Sequence, residues 1–365
     1  VAAALGIAAC GSSSSSSSSS AAAPASSSSG SSSSGGGGSA TINGAGSTLA
    51  APIYQQWGST LSKQSLTVNF NPVGSGAGVA QLQAGTVDFA GSDPALKPSE
   101  QKAAKGPVLE FPVAFGAITV SYNLSGIKSG LKLDGTTLAD IFSGKVKTWN
   151  NSEIKALNPG MSLPSTAITV VHRSDSSGTT NGFTTYLSDV SPSWKSSIGP
   201  GKDVKWPTGT GAAKNSGVAA AIKQTAGAVG YVEQAYALEN GFTYAAIKNS
   251  AGTYVLPTIP ATSAAAAGVA TPANLAISTI NSPASTAYPI VSQTFLMAYE
   301  DMCKAGVSQS VASGVKKFLT YAFGLGQQTL GAGSDQLPYA PLPTSLAAKV
   351  NKRLALLTCN GSPLS

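Results

Sequence analysis

Residues 170–179 read Val170-Val171-His172-Arg173-Ser174-Asp175-Ser176-Ser177-Gly178-Thr179. A β-branched run closes on a single arginine, an aspartate follows, and a Ser-Ser-Gly-Thr turn opens an amphipathic segment. Strand, turn and helix in immediate succession form the repeating unit of an α/β fold. The same residues suit an oxyanion. The planar guanidinium of Arg173 forks two hydrogen bonds onto one tetrahedral ligand. The hydroxyls of Ser177 and Thr179, with the backbone N–H groups around Gly178, meet such a ligand at a helix N-terminus. The plainer alternative is an ordinary strand–turn–helix junction with a capping serine and a solvated arginine.

The alternation extends along the chain on both sides. Leu66–Asn71, Phe111–Tyr122, Ala167–Arg173, Gly227–Val232 and Tyr288–Ala298 read as strands. Ala50–Leu61, Val79–Ala84, Leu138–Phe142, Asn181–Leu187, Val218–Lys223, Gln309–Phe323 and Leu346–Leu356 read as helices. Leu49, Ile53, Trp57 and Leu61 recur every four residues and paint one apolar stripe. The pattern predicts an α/β architecture without a fixed internal repeat.

Two further helix starts carry hydroxyls beside glycines, at Gly44-Ala45-Gly46-Ser47-Thr48 and Gly74-Ser75-Gly76-Ala77-Gly78. Each offers free N–H groups and a positive dipole end. Glycine-rich caps are common, but together with Arg173 these starts suggest convergence on one anion. Val87–Asp93 reads as a strand ending in a carboxylate, Asp93, just before Pro94. A carboxylate beside an anion is useful only if the anion carries a proton for it to accept. Near neutral pH phosphate carries one and sulfate does not. The alternative is that Asp93 merely caps its turn.

Composition narrows the partners. The net charge is +7, but the lysines are scattered (Lys97, Lys102, Lys145, Lys205, Lys316), and no basic run is interleaved with aromatics. This argues against nucleic acid and fits the attraction of small anions. With one histidine in 365 residues and no metal-ligand spacing, no metal is expected. Leu5-Gly6-Ile7-Ala8-Ala9-Cys10-Gly11 resembles a bacterial lipobox, with Cys10 lipidated and residues 1–9 the remnant of a signal peptide whose charged start is missing. Residues 11–40 are almost wholly Ser, Gly and Ala, a composition that cannot bury enough apolar surface to order itself. As a flexible tether it would reach roughly 30 Å. Cys303 and Cys359 form an even pair, which in an exported protein points to a disulfide, with free thiols as the alternative. No apolar run has the length of a membrane span, so the protein is expected to be anchored and not inserted.

With these segments in hand, the chain resembles the phosphate-binding proteins of bacterial ABC-type phosphate importers, from about residue 42 to 358. Beyond the site segments the likeness includes Leu133–Trp149, Leu157-Asn158-Pro159-Gly160, Lys205-Trp206-Pro207, Gly227–Ala237 and Tyr288-Pro289-Ile290. It implies a type II periplasmic binding protein fold: two α/β lobes joined by a two-strand hinge, lobe 1 being 41–119 with 289–365 and lobe 2 being 120–288. It implies that Thr48, the N–H of Leu49, Ser75 and Asp93 bind phosphate from one lobe, and Arg173, Ser177, Gly178 and Thr179 from the other. Asp175 takes the position that buttresses the arginine. Leu49 stands where the family often has an aromatic, Ala50 replaces a common proline, and Gly76-Ala77 departs from the usual Ser-Gly. The resemblance further implies a monomer that carries no cofactor, stands on the outer face of the cytoplasmic membrane, and delivers phosphate to an ABC permease with its cytoplasmic ATPase.

Three other functions compete with this one, among them a phosphate scavenger or sensor without a dedicated permease. Ser177, His172 and Asp175 invite a serine-hydrolase or phosphatase reading, but the G-x-S-x-G elbow is absent. Strand alternation also turns His172 away from the face that Arg173 serves. Binding of another oxyanion, such as sulfate, molybdate or phosphonate, is disfavoured by Asp93.

Overall fold

The computed structural model describes residues 40–364. The expected lipidation of Cys10 and nearly all of the Ser/Gly tether lie outside the described residues.

One strand organises the molecule. Val108–Tyr122 runs for 15 residues and is buried along almost its whole length. Its sequence is accordingly apolar nearly throughout, as a strand covered on both faces requires. Its first part, Val108–Ala117, pairs antiparallel with Val291–Tyr299; its last, Ile118–Tyr122, pairs antiparallel with Ala228–Glu233. The strand thus changes partners between Ala117 and Ile118 and carries a nine-stranded sheet from one half of the molecule to the other. Beyond Val291–Tyr299 come Phe89–Ser92, Ala40–Gly46 and Leu66–Asn71, the last three mutually parallel. Beyond Ala228–Glu233 come Thr169–Arg173 and Thr210–Ala212, again parallel. The result is the two-lobed α/β fold of periplasmic binding proteins.

Helices cover both halves. In Ala51–Ser62 the predicted stripe is the buried face: Ile53, Trp57 and Leu61 are inside, as is Leu49 just before the helix. Trp57 meets Phe318 and Tyr321 of helix Gln309–Phe323 edge-on, with centroids 6.4 and 6.2 Å apart. The helix expected over Ala50–Leu61 spans Ala51–Ser62, one residue later at each end. Gly44-Ala45-Gly46 belongs to a strand, and the helix starts at Ala51, with no side-chain cap on Ala50. Small residues suit that strand because parallel neighbours press on both sides of it. A Cβ on Gly44 would collide with the Phe89 ring.

Cys303 and Cys359 are bonded, their Cα atoms 4.7 Å apart. Asp301 beside them accepts from the N–H groups of Lys304, Asn360 and Gly361 at 3.2, 2.9 and 2.8 Å, so the crosslink sits in a turn that is already organised. The bridge spans 56 residues. Restricting so long a loop in the unfolded chain gives about 4 kcal/mol. Replacing both cysteines with serine is expected to lower unfolding stability by up to that amount in urea titrations, and reductant should reproduce the loss in the native protein. Unchanged midpoints would show that the bridge adds nothing to stability.

Candidate functional site

Within each half the parallel strands end on the same edge, and the residues singled out in the sequence sit at or just past those ends. Ser47 and Thr48 follow Ala40–Gly46, Ser75 follows Leu66–Asn71 through a short turn, and Asp93 follows Phe89–Ser92. Across from them Arg173 closes Thr169–Arg173, and Asn215 follows Thr210–Ala212. Crevices at the carboxyl ends of parallel strands are where α/β folds bind ligands, since helix N-termini begin there.

The arginine jaw is held from behind by aromatic rings. His172 stacks on Trp206 (centroids 4.7 Å apart, planes at 11°), Trp206 on Tyr231 (5.7 Å), and Tyr231 on Phe183 (4.4 Å). The Tyr231 hydroxyl accepts from the Arg173 backbone N–H at 3.0 Å and hydrogen bonds Thr180 Oγ1 at 2.7 Å, locking strand end to helix start. Ser177 caps helix Gly178–Val190, its Oγ accepting from the Thr180 N–H at 3.1 Å. As the first residues of that helix, Gly178 and Thr179 have N–H groups without intrahelical acceptors.

Arg173 is buried, and its fork goes first to Asp175: Nε donates to Oδ1 at 2.7 Å and an Nη to Oδ2 at 2.5 Å. The other Nη donates to Thr179 Oγ1 at 3.4 Å. The bidentate side of the guanidinium is therefore taken by the buttress. What faces the crevice is the remaining Nη edge. Asp175 also accepts from the Lys214 N–H at 2.9 Å, and its carboxyl is held below the usual carboxylate range against the cost of burial by its bonds to Arg173. The guanidinium charge is thus balanced locally, and an anion here meets oriented dipoles more than net charge.

The opposite jaw centres on Asp93, which is 3% exposed. Its Oδ1 accepts from Ser47 Oγ at 2.5 Å and Thr294 Oγ1 at 3.0 Å, and its Oδ2 from Ser75 Oγ at 3.4 Å. Burial pushes its pKa up to about 6, these donors notwithstanding. Thr294 lies at a register shift between Val291–Tyr299 and Val108–Tyr122. Such an irregularity re-aims side chains. Ser75 opens helix Ser75–Ala84 after Gly74, whose φ of +95° puts it in a conformation few other residues adopt.

The jaws touch. The Gly76 N–H donates to the Ser176 carbonyl at 3.1 Å, and the Tyr236 hydroxyl donates to the Thr48 carbonyl at 2.8 Å. A Cβ on Gly178 would fall 2.2 Å from Asp93 Oδ2 and 2.5 Å from Ser75 Oγ, so only glycine fits between them. Lys202 and Glu100 form an ion pair from one half to the other. Thr48, Ser75, Asp93, Arg173, Ser177, Gly178 and Thr179 are thereby gathered at one place. Leu49 differs from the expectation: its N–H donates to Ser47 Oγ at 3.1 Å, so that donor already has a partner.

Sequence reasoning missed Ser47, Thr294, Asn215 and Tyr231. Ser47 lies inside the glycine-rich segment Gly44–Thr48, and its pairing with a buried acid 46 residues away has no local signal. Asn215 Nδ2 donates to Thr48 Oγ1 at 2.9 Å and Thr179 Oγ1 at 3.1 Å, bridging the jaws.

Residues 28–324 match the model of the PBP superfamily domain. The phosphate-binding protein PstS of Pasteurella multocida is 40% identical over 314 residues, covering 85% of this chain and 88% of the relative. Phosphate-binding protein PstS 3 of Mycobacterium leprae is 35% identical over 324 residues, covering 85% of both chains. Among solved structures, the high-affinity periplasmic phosphate-binding protein PfluDING, bound with phosphate, superposes with a TM-score of 0.68 at 23% identity, covering 86% of this chain and 93% of its own. A phosphate-binding protein from Stenotrophomonas maltophilia gives 0.63 at 21% identity, covering 86% and 93%. Fold, site architecture and relatives agree, and the chain belongs to the PstS family of phosphate-binding proteins.

Proposed function

We propose that this protein binds inorganic phosphate outside the cytoplasmic membrane and delivers it to an ABC permease driven by a cytoplasmic ATPase. The observation that carries the reading is the buried Asp93 carboxylate, set among hydroxyl donors and facing the jaw that holds Arg173. Donors around an anion would serve any oxyanion; an acceptor among them serves one that still carries a proton. Thr48, Ser75 and Asp93 bind from one lobe, and Arg173, Ser177, Gly178 and Thr179 from the other, with Asp175 holding the arginine. The Leu49 N–H joins them only if it leaves Ser47.

Lobe 1 (41–119 and 289–365) and lobe 2 (120–288) close about the crossings near Ala117–Ile118 and Ile290. A ligand bonded to both jaws favours the closed form by its extra contacts there. The closed monomer then docks on the permease, held near the membrane by lipid on Cys10. Among the described residues no helix is long and apolar enough to cross a membrane. In this reading the protein has no catalytic role. His172 stacks on Trp206 and places Nδ1 3.0 Å from its neighbour's carbonyl, an arrangement suited to packing and not to activating Ser177.

Calorimetric titration tests the proposal. Phosphate is expected to bind tightly and with 1:1 stoichiometry, arsenate to compete because it shares the protons and shape, and sulfate to compete poorly. Comparable sulfate affinity would overturn the role of Asp93, and no phosphate binding would overturn the function.

A further inference from the structure

We propose that Asn215 is a positioning residue that forces the hydroxyls of Thr48 and Thr179 to act as hydrogen-bond donors to the bound anion, and that it does so for Thr48 only when the lobes close. The inference rests on the phosphate-binding reading and extends it to a residue outside the expected binding set.

The orientation of the Asn215 amide is fixed by its neighbours. The backbone N–H of Glu233 can only donate, and it lies 3.0 Å from Asn215 Oδ1, so the carbonyl end faces Glu233. The NH2 end consequently faces the threonines and gives one proton to each, at 2.9 Å to Thr48 Oγ1 and 3.1 Å to Thr179 Oγ1. Thr48 Oγ1 also accepts from the Asn215 backbone N–H at 3.3 Å, and Thr179 Oγ1 from Arg173 at 3.4 Å. A hydroxyl has two acceptor lone pairs and one proton. With both lone pairs occupied, each threonine has only its proton left to offer. Two adaptable groups have become obligate donors, the polarity that an oxyanion needs.

The backbone around Asn215 is built to hold it there. The residue is fully buried, and Lys214 before it has φ +66°, a left-handed conformation rarely adopted by lysine. Lys214 in turn gives its N–H to Asp175, the buttress of Arg173, so the arginine and the asparagine are set by one turn of chain. Thr179 and Asn215 lie at the starts of the helices that follow Thr169–Arg173 and Thr210–Ala212, strands of one half of the sheet, whereas Thr48 follows Ala40–Gly46 in the other. The Thr48 contact therefore forms on closure, which couples closing to the donor polarity of the site.

A double-mutant cycle on phosphate affinity separates this role from a merely structural one. Asn215→Ala is expected to weaken phosphate binding about 100-fold in the wild-type background, yet less than about threefold in a Thr48→Val/Thr179→Val background, because there are no hydroxyls left to orient. Equal losses in both backgrounds, or none in the wild type, would overturn the inference. Should the alanine variant not fold, Asn215→Asp keeps the shape and the Glu233 contact while replacing the two donors with an acceptor. It must then lose more in the wild-type background than in the valine background, and equal losses overturn the proposal. A wild-type chain that binds no phosphate instead overturns the functional reading on which the inference rests.

Discussion

Asp93→Asn is expected to lower the selectivity for phosphate over sulfate by about 100-fold or more, and at the same time to make the unliganded protein more stable at neutral pH. Both effects follow from one buried carboxyl. Its Oδ1 takes hydroxyl protons from Ser47 and Thr294, and its Oδ2 looks toward Ser75 and Gly178, where the ligand's acidic proton has to be received. Asparagine keeps an acceptor for Ser47 and Thr294 but puts an NH2 group in place of Oδ2. The acceptor for a ligand proton becomes a donor, which a sulfate oxygen can use and which leaves the proton of phosphate without a partner. The stability effect has a definite sign. Burial raises the Asp93 pKa from 3.8 to about 6, so the folded state holds this proton more tightly than the unfolded chain. The group's contribution is fully present below about pH 4 and is lost as pH rises through about 6. Above that the ionised carboxylate costs folding about 3 kcal/mol. The variant should therefore melt higher than the wild type at pH 7, and lose the part of the wild type's pH dependence that falls between pH 4 and 6. Unchanged selectivity in competitive titrations would remove Asp93 from the site, and an unchanged pH profile of apo stability would show that its carboxylate is not held against burial.

The combination places a cost of function in one residue. A protein selected for stability alone would put a neutral group at position 93. The carboxylate stays charged because discrimination between two anions of nearly the same shape has to come from a hydrogen bond's direction. Asn215 and Asp93 are then complementary devices. One compels hydroxyls to donate, and the other keeps a single acceptor among the donors.

Local features of this fold were legible because their causes are local. Leu66–Asn71 and Gln309–Phe323 have the predicted bounds, and the Ser177 cap lies where the Ser-Ser-Gly-Thr turn put it. Strand Ala40–Gly46 escaped notice because its second half, Asn43-Gly44-Ala45-Gly46, is small and glycine-rich and reads as the approach to a helix. Its place is dictated by parallel partners on both sides. Helix Ile259–Ala266 escaped as well, its Ala-rich sequence giving little amphipathic pattern. At the site, Arg173 to Thr179 share one turn and could be read together. The two glycine-rich starts and Asp93 were legible one by one from their hydroxyls and carboxylate, and the resemblance singled out Thr48 and Ser75 as the residues of those starts expected to bind. The Thr294–Asp93 bond joins residues 201 positions apart, and Asn215–Thr48 spans 167. No window of sequence contains such a pair. Even the reach of Arg173 was only half visible: its charge and fork are intrinsic, while the division of its five donors between Asp175 and the crevice depends on where Lys214 holds the carboxylate.

That division makes Arg173→Ala the sharpest test of the arginine jaw. The expected result is a loss of phosphate affinity of about 2–5 kcal/mol, the range for truncating one partner of a buried, hydrogen-bonded charge pair. The variant removes the Nη edge that faces the crevice, and it also strands Asp175 beside the anion with one fewer partner. These two causes can be told apart. In Arg173→Ala/Asp175→Ala the stranded carboxylate is gone, so any affinity recovered measures repulsion by Asp175, and what stays lost measures the missing guanidinium. Arg173→Lys keeps the charge but not the planar fork. An ammonium cannot give two parallel hydrogen bonds to Asp175 and still reach Thr179, so lysine should recover little of the loss. Should lysine bind phosphate as the wild type does, charge alone would suffice and the geometry of the fork would be irrelevant. Full recovery in the double variant would mean that Arg173 serves only to neutralise Asp175. Persistent loss in both variants is the outcome that the structure requires, because the Nη edge toward Thr179 is the one part of the guanidinium that Asp175 does not use.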